Sequence, residues 1–97
     1  MKAKIIVKGR VQGVGYRAYV AKIASKYGIK GYAMNMQDGT VEVYAEGDNA
    51  NVMHFVESIK DASGMTRAEV EEAEINEEGT AGYSEPSIQY GDKFVIS

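Results

Sequence analysis

The 97-residue sequence predicts an α+β fold with the element order β-α-β-β-α-β. Two stretches place apolar residues at the i, i+3, i+4, i+7 spacing of an amphipathic helix, and four others have the alternation of half-buried strands. Glycines or an Asp-Gly pair separate several of these stretches. This order is that of the ferredoxin-like split β-α-β fold. Right-handed crossovers would place both helices on one face of an antiparallel sheet and leave the other face open or lightly covered.

The first strand and the first helix flank a glycine-rich segment. The odd-numbered residues from 3 to 7 are apolar, which predicts a half-buried strand. Three glycines between Gly9 and Gly15 indicate a loop after it. The helix that follows ends at Gly28, and its apolar stripe consists of Val20, Ile23, Ala24 and Tyr27.

A β-hairpin follows the first helix. Its first strand is predicted over Gly31 to Asn35 and its second over residues 40–45, where apolar residues occupy every other position. Asp38 and Gly39 form an Asp-Gly pair, which is typical of the turn between two such strands.

The second half of the chain is predicted to contain one helix and one long strand. Asp48 or Asn49 can cap the helix, whose apolar stripe consists of Val52, Phe55, Val56 and Ile59. A strand is expected over residues 66–75, with a bulge near Glu71 and Glu72 because its apolar phase slips there. Residues 76–92 are expected to form an irregular loop, and Phe94 and Ile96 suit a short edge strand.

Composition limits the classes of function. The chain has no cysteine, which excludes a disulfide framework, a thiolate metal site and a cysteine nucleophile. Its single histidine, His54, excludes a histidine-rich metal centre and lies off the stripe of the second helix, so we expect it to face solvent. No segment approaches the ~18 apolar residues of a membrane helix, and the N-terminus does not resemble a signal peptide. We therefore expect one cytoplasmic, monomeric domain over residues 1–97, without membrane association.

Charge is unevenly distributed along the chain. Residues 1–37 contain eight basic and no acidic side chains, whereas the other sixty contain three basic and fourteen acidic ones. A basic half can bind nucleic acid or line a small-anion site, although a solvated surface is the simplest interpretation. The acidic residues between 69 and 78 are expected to form a solvated edge rather than a calcium loop.

The segment from Gly9 to Arg17 has the features of a phosphate site. Glycines allow the backbone to form a cradle with N–H groups pointing inward. The first helical turn, expected at residues 15–18, adds N–H groups and the positive end of the helix dipole. Arg17 can hold two phosphate oxygens with its planar guanidinium. From the residues alone, a glycine-rich turn that binds nothing remains an alternative, and the segment lacks the ending of a Walker loop.

Two motifs resemble those of the acylphosphatase family. The first is Val7-x-Gly9-x-Val11-Gln12-Gly13-Val14-x-Tyr16-Arg17, with tyrosine at position 16 where many members have phenylalanine. The second is Gly31-x-x-x-Asn35-x-x-Asp38-Gly39-x-Val41-Glu42-Val43, followed by Ala45-Glu46-Gly47. Both lie at the family's spacing, and the resemblance covers residues 3–75. It implies the ferredoxin-like fold already predicted and a cofactor-free hydrolase of acyl phosphates.

The resemblance also assigns roles to residues of this chain. It implies that Arg17 binds the phosphate and that Asn35 positions the attacking water, which makes these two the expected catalytic residues. The phosphate-binding residues that it implies are Gln12, Gly13, Val14, Gly15, Tyr16 and Arg17. Since the leaving group of an acyl phosphate is a carboxylate with a pKa of about 4–5, no strong general acid is needed. No metal is expected, because residues 1–37 offer no carboxylate beside the loop.

Two rival functions follow from the same residues. A domain of this type that binds phosphate or a partner without turnover is one, although the presence of both Arg17 and Asn35 disfavours it. An RNA-binding module is the other, since RNA-recognition domains share this strand order. The strands at 3–7 and 40–45 lack the RNP pattern of exposed aromatic residues, and the net charge of −3 does not favour RNA, so no nucleic-acid partner is expected.

Overall fold

The structure is a computed structural model that describes residues 1–62, 68–78 and 94–96. Two positions of the strand predicted from residue 66 and most of the loop predicted over 76–92 lie outside these residues. In chain order the elements are β1 (Lys2–Arg10), α1 (Tyr16–Tyr27), β2 (Lys30–Asn35), β3 (Val41–Glu46), α2 (Asn49–Asp61), β4 (Glu69–Glu78) and β5 (Phe94–Ile96). The predicted β-α-β-β-α-β order is confirmed, and the short edge strand predicted at Phe94 and Ile96 is present as β5.

The sheet has the strand order β4-β1-β3-β2-β5. Antiparallel pairing joins β1 to β3 and β4, and β2 to β3. β5 runs parallel to β2, so the predicted all-antiparallel sheet is mixed at this edge. The apolar pattern of three residues carries no information about the direction in which a strand runs, and for this reason the sequence could not predict the parallel pair.

Both helices pack on the same face of the sheet. Alternate residues of β1 and β3 face the helices, and the predicted stripe of α2 is buried against them. In the stripe of α1, Val20 and Ala24 are buried, whereas Ile23 and Tyr27 are half-buried at its border. The buried side chains contributed by strands and helices to this core are Ala3, Ile5, Val7, Ala33, Val41, Val43, Ala45, Tyr16, Val20, Ala24, Val52, Phe55, Val56 and Ile59.

β1 and β4 end later in the chain than predicted, β1 at Arg10 rather than Val7 and β4 at Glu78 rather than Ile75. β1 continues through Gly9 and Arg10, where the sequence predicts a loop, because these residues keep pairing with β4 beyond a bulge. That bulge is where the sequence predicts it: Lys8 pairs with Glu72 and Gly9 with Val70, so that Glu71 is the additional residue. β4 extends to Glu78, and residues 76–78 are therefore strand rather than loop.

The face opposite the helices is more buried than predicted. Tyr32 and Tyr44 stack with ring centroids 5.8 Å apart, and both are almost completely buried. The Tyr32 hydroxyl donates a hydrogen bond of 2.7 Å to Oε2 of Glu42, which is itself buried. The rings of Tyr32 and Tyr44 thus bury a face of the sheet that the alternation of apolar and polar residues alone would place in solvent.

Candidate active site

The segment between β1 and α1 forms a loop whose glycines have left-handed backbone conformations. The φ angles are 76° at Gly13 and 84° at Gly15, which directly precedes α1. Side chains with a Cβ rarely adopt such angles. No atom of the described residues lies within 4 Å of the point that a Cβ would occupy at either glycine. Both glycines therefore border open space at the start of the helix.

A cavity of about 170 Å³ lies at this N-terminal end of α1. Its lining combines loop backbone, the first helical turn and one residue of β5: Val11, Gly13, Gly15, Tyr16, Arg17, Ala18 and Ile96. The first turn of a helix has N–H groups without intrahelical partners and carries the positive end of the dipole. Half-buried Arg17, the second residue of α1, adds a full positive charge. The structure thus brings four of the six predicted phosphate-binding residues to one cavity.

Gln12 and Val14 use their side chains differently. The Val14 side chain packs against the hydrophobic core. Gln12 Nε2 donates two hydrogen bonds of 2.8 Å, one to the carbonyl oxygen of Met36 and one to that of Thr40. The Gln12 side chain therefore binds the hairpin formed by β2 and β3. Neither Gln12 nor Val14 belongs to the described lining of the cavity.

Asn35 is the last residue of β2, one position before Met36. Its Oδ1 atom is buried and has no hydrogen-bond partner among the described residues. Asn35 does not belong to the described lining of the 170 Å³ cavity. The Gln12 side chain nevertheless connects the glycine loop to Met36, the residue after Asn35. A buried, unpaired acceptor is costly, so an uncompensated one indicates a place for a bound molecule or a functional role.

The hairpin turn beyond Asn35 is held by several hydrogen bonds. Asp38 Oδ1 accepts from the backbone N–H of Thr40 at 3.0 Å and from its hydroxyl at 2.6 Å. These bonds, the hydroxyl above all, lower the pKa of Asp38 below its ordinary value. The Met36 N–H donates to the Thr40 carbonyl at 2.9 Å, which also accepts from Gln12. The end of β2 is thereby fixed relative to the glycine loop.

Tyr16 contributes backbone to the cavity, while its side chain points into the protein. Its ring is buried, and its hydroxyl donates a 2.8 Å hydrogen bond to the carbonyl oxygen of Ile59 in α2. Burial, with a smaller contribution from Tyr19, raises the pKa of the Tyr16 hydroxyl well above its ordinary value. This phenol stays protonated at neutral pH and serves as a structural donor.

Two other polar features of the described residues lack the chemistry of a phosphate site. A wider depression of about 540 Å³ beside the end of α2 is lined by Glu57, Ser58, Lys60 and Asp61, whose two carboxylates would repel a phosphate. His54 is exposed, as predicted, and its ring stacks on Tyr27 with centroids 5.6 Å apart.

Within residues 1–62, 68–78 and 94–96 no group of three or more His, Cys, Asp or Glu residues is placed to hold a metal ion. No helix in this part of the chain is long and apolar enough to span a membrane.

Two contributions to the site do not follow from the sequence pattern. The hydrogen bonds of the Gln12 side chain depend on a contact across 24 and 28 residues, which no local pattern shows. The sequence predicts Ile96 only as part of an edge strand. Its place beside Arg17 depends on the parallel pairing of β5 with β2.

Comparisons with known proteins agree with the motifs. The family model described as Acylphosphatase matches residues 3–90. An acylphosphatase of Thermotoga petrophila is 42% identical over 91 residues, which cover 93% of this chain and 99% of the relative. One from Thermus thermophilus is 46% identical over 79 residues, covering 80% and 90% of the two chains. The crystal structure of the Bacillus subtilis acylphosphatase has a TM-score of 0.80 at 33% identity and covers 99% of this chain and 97% of its own.

Proposed function

The chain belongs to the acylphosphatase family and is a hydrolase that acts on acid anhydrides, and from this premise we propose which of its residues perform the reaction. The 12–16 backbone and Arg17 bind the phosphoryl group of an acyl phosphate. Asn35 positions the water that attacks it. The observation that carries this proposal is the buried Oδ1 of Asn35, which lacks a partner among the described residues.

The phosphoryl group is held by positive charge and N–H groups together. The helix terminus supplies partial positive charge, and the guanidinium supplies a full charge with two parallel donors. The cavity at Gly13, Gly15 and Arg17 has room for the oxygens of a phosphoryl group. As the P–O bond to the acyl group lengthens, charge redistributes over those oxygens, and fixed donors stabilise it without rearranging.

Water needs an acceptor to fix its orientation. Asn35 Oδ1 can accept a hydrogen bond from a water O–H, which leaves a lone pair of the water oxygen available for phosphorus. Asn35 is neutral and does not remove the proton. A bond then forms between the water oxygen and phosphorus, and the bond from phosphorus to the acyl oxygen breaks. The electron pair leaves with the carboxylate, and the protons of the water end on the product phosphate and in solvent.

The leaving group explains why so few side chains suffice. A carboxylate departs as a stable anion, so the described site needs no acid to protonate it. A phosphate ester would leave as an alkoxide, and Arg17 provides no proton for that departure. We therefore propose that acyl phosphates are preferred over phosphate esters.

The test is hydrolysis of acetyl phosphate by Arg17→Ala, with Lys22→Ala as the matched control. Lys22 is an exposed basic residue of the same helix and outside the cavity lining. Arg17→Ala should lose ~10²-fold or more in kcat/KM and should bind inorganic phosphate more weakly, and Arg17→Lys should recover little because a point charge lacks the fork. Lys22→Ala should retain full activity.

An Arg17→Ala protein with more than about a tenth of wild-type activity would contradict the assignment. A wild-type protein that binds inorganic phosphate without turnover would instead support a non-catalytic phosphate-binding module.

We further propose that residues 1–97 act as a single, monomeric, cytoplasmic domain. Light scattering during size-exclusion chromatography tests the oligomeric state.

A further inference from the structure

Three large apolar side chains are exposed in the part of the chain that the structure describes. They are Met53, Ile75 and Ile96, with exposed fractions of 55%, 40% and 43%. Single exposed apolar residues are ordinary on protein surfaces and need no explanation. Ile96 differs in its location, since it lines the cavity that contains Arg17 and the two loop glycines.

The fold fixes Ile96 at this place. In the parallel pair, Phe94 lies opposite Gly31 and Ile96 opposite Ala33, whose side chain belongs to the core on the helix side. The Phe94 ring contacts Phe55 edge-on with centroids 5.9 Å apart, which anchors β5 against α2. Because side chains two residues apart share a face, Ile96 lies on the helix side as well, beside the first turn of α1.

We propose that Ile96 is a specificity-determining residue that forms an apolar wall for the acyl group of the substrate. This inference rests on the proposed function, in which the glycine loop and Arg17 hold the phosphoryl group. A phosphoryl group in that cradle directs the attached acyl group toward the open part of the cavity. Ile96, whose side chain is 43% exposed, lines this cavity together with Val11 and Ala18. Covering this surface with an apolar acyl group favours binding.

The prediction concerns the difference between two acyl phosphates. Benzoyl phosphate presents a ring to Ile96, whereas acetyl phosphate presents only a methyl group. Ile96→Thr keeps a β-branched residue suited to a strand and removes part of the apolar surface. Its kcat/KM for benzoyl phosphate should fall about fivefold, while that for acetyl phosphate changes less than twofold. Ile96→Phe should change the benzoyl to acetyl ratio in the opposite direction.

Ile75→Thr is the matched control. Ile75 has nearly the same exposure but lies on β4, at the other edge of the sheet. It should change neither substrate's kcat/KM. Inorganic phosphate has no acyl group, so its inhibition constant should be the same in wild type, Ile96→Thr and Ile96→Phe.

Equal effects of Ile96→Thr on both substrates, or a ratio that stays at the wild-type value in Ile96→Phe, would overturn the proposal. If Ile96→Thr does not fold, the Ile96→Phe ratio decides. Failure of the phosphate site itself is recognised separately, since Arg17→Ala would then hydrolyse acetyl phosphate normally. Loss of activity in Arg17→Ala together with an unchanged substrate ratio in both Ile96 variants rejects the acyl wall alone.

Discussion

Gln12 and Met36 are joined by a 2.8 Å hydrogen bond from the side-chain amide of Gln12 to the carbonyl oxygen of Met36. The same nitrogen donates to the Thr40 carbonyl on the other side of the hairpin turn. Met36 follows Asn35, so one side chain connects the phosphate loop with the residue proposed to position water. This amide adds a direct contact between the two halves of the site to the sheet pairing, in which Val41 lies opposite both Val7 and Asn35.

Replacing Gln12 by methionine should therefore affect the reaction more than phosphate binding. Methionine has nearly the same length but cannot donate, so the two hydrogen bonds to the hairpin are lost while the loop backbone and Arg17 remain. We expect kcat to fall by about tenfold, because small displacements of a reacting group are costly. The inhibition constant of inorganic phosphate should change less than threefold. Steady-state kinetics with phosphate inhibition measures both.

Gln37→Met is the control for this substitution. Gln37 is an exposed residue of the same hairpin turn, and its replacement should leave kcat unchanged. Gln12→Asn should not rescue activity, because its amide lies one methylene group further from the hairpin carbonyls. If Gln12→Met keeps full kcat, the hairpin is positioned without this bond.

Tyr16→Phe should lower stability and leave catalysis intact. Ile59 lies in the last turn of α2, where carbonyl groups lack intrahelical partners, and the Tyr16 hydroxyl supplies a donor. Its loss should cost ~1–2 kcal/mol of unfolding free energy, with activity within twofold of wild type. Urea denaturation measures the first and an acyl phosphate assay the second. Tyr27→Phe, on the same helix, is the control, since the contact described for Tyr27 is made by its ring.

The pH dependence of stability gives a second test of Tyr16. Its pKa is raised in the folded protein above the ordinary value of 10.0. The unfolded chain therefore loses the proton first as pH rises, and stability falls from about pH 10 upward. Below about pH 10 the contribution is fully present. The decline in the thermal midpoint between pH 10 and 11 should be shallower in Tyr16→Phe than in wild type, and equal slopes would contradict this account.

Activity should survive chelation and the loss of the only histidine. The loop and α1 belong to a segment without carboxylates, and His54 is exposed on α2. We expect EDTA and His54→Ala each to leave kcat/KM within about twofold of its starting value, which a hydrolysis assay measures. Loss of activity in EDTA that magnesium or zinc restores would reject the metal-free mechanism.

The sequence predicts most of this fold because its local patterns agree with the tertiary structure. The buried stripe of α2 and the bulge opposite Gly9 follow from spacing alone. The parallel β5 and the buried face around Tyr32 do not, because pairing direction and the covering of a sheet face depend on contacts distant in sequence.

The residues of the candidate site also divide into those that the sequence predicts and those that require the tertiary structure. The glycine loop and Arg17 are contiguous in the chain, so their residue types show the features of an anion cradle, and the resemblance to a family favours it over a glycine-rich turn that binds nothing. Asn35 is predicted only through the resemblance to a family, since asparagine is also a common turn residue. The side-chain role of Gln12 and the place of Ile96 require the three-dimensional pairing of distant segments.

Asn35→Ala separates water positioning from phosphate binding. Asn35 is neutral and is proposed to act in the attack, so kcat should fall by ~10²-fold or more while the phosphate inhibition constant changes only a few-fold. Stability should not decrease, because the substitution removes a buried Oδ1 that has no partner among the described residues. Kinetics, phosphate inhibition and the thermal midpoint, measured on one sample, give all three values.

These three values distinguish the proposed role from that of a residue that merely shapes the hairpin. A shaping residue would lower the thermal midpoint on replacement and leave kcat per folded molecule unchanged. A phosphate-binding residue would weaken inhibition by inorganic phosphate, as Arg17→Ala should. The proposed role alone combines low kcat with retained phosphate binding and retained stability. The buried Oδ1 of Asn35 has no partner among the described residues, and its proposed role is to accept a hydrogen bond from the attacking water. A folded Asn35→Ala protein with near-normal kcat would show that another group positions the water.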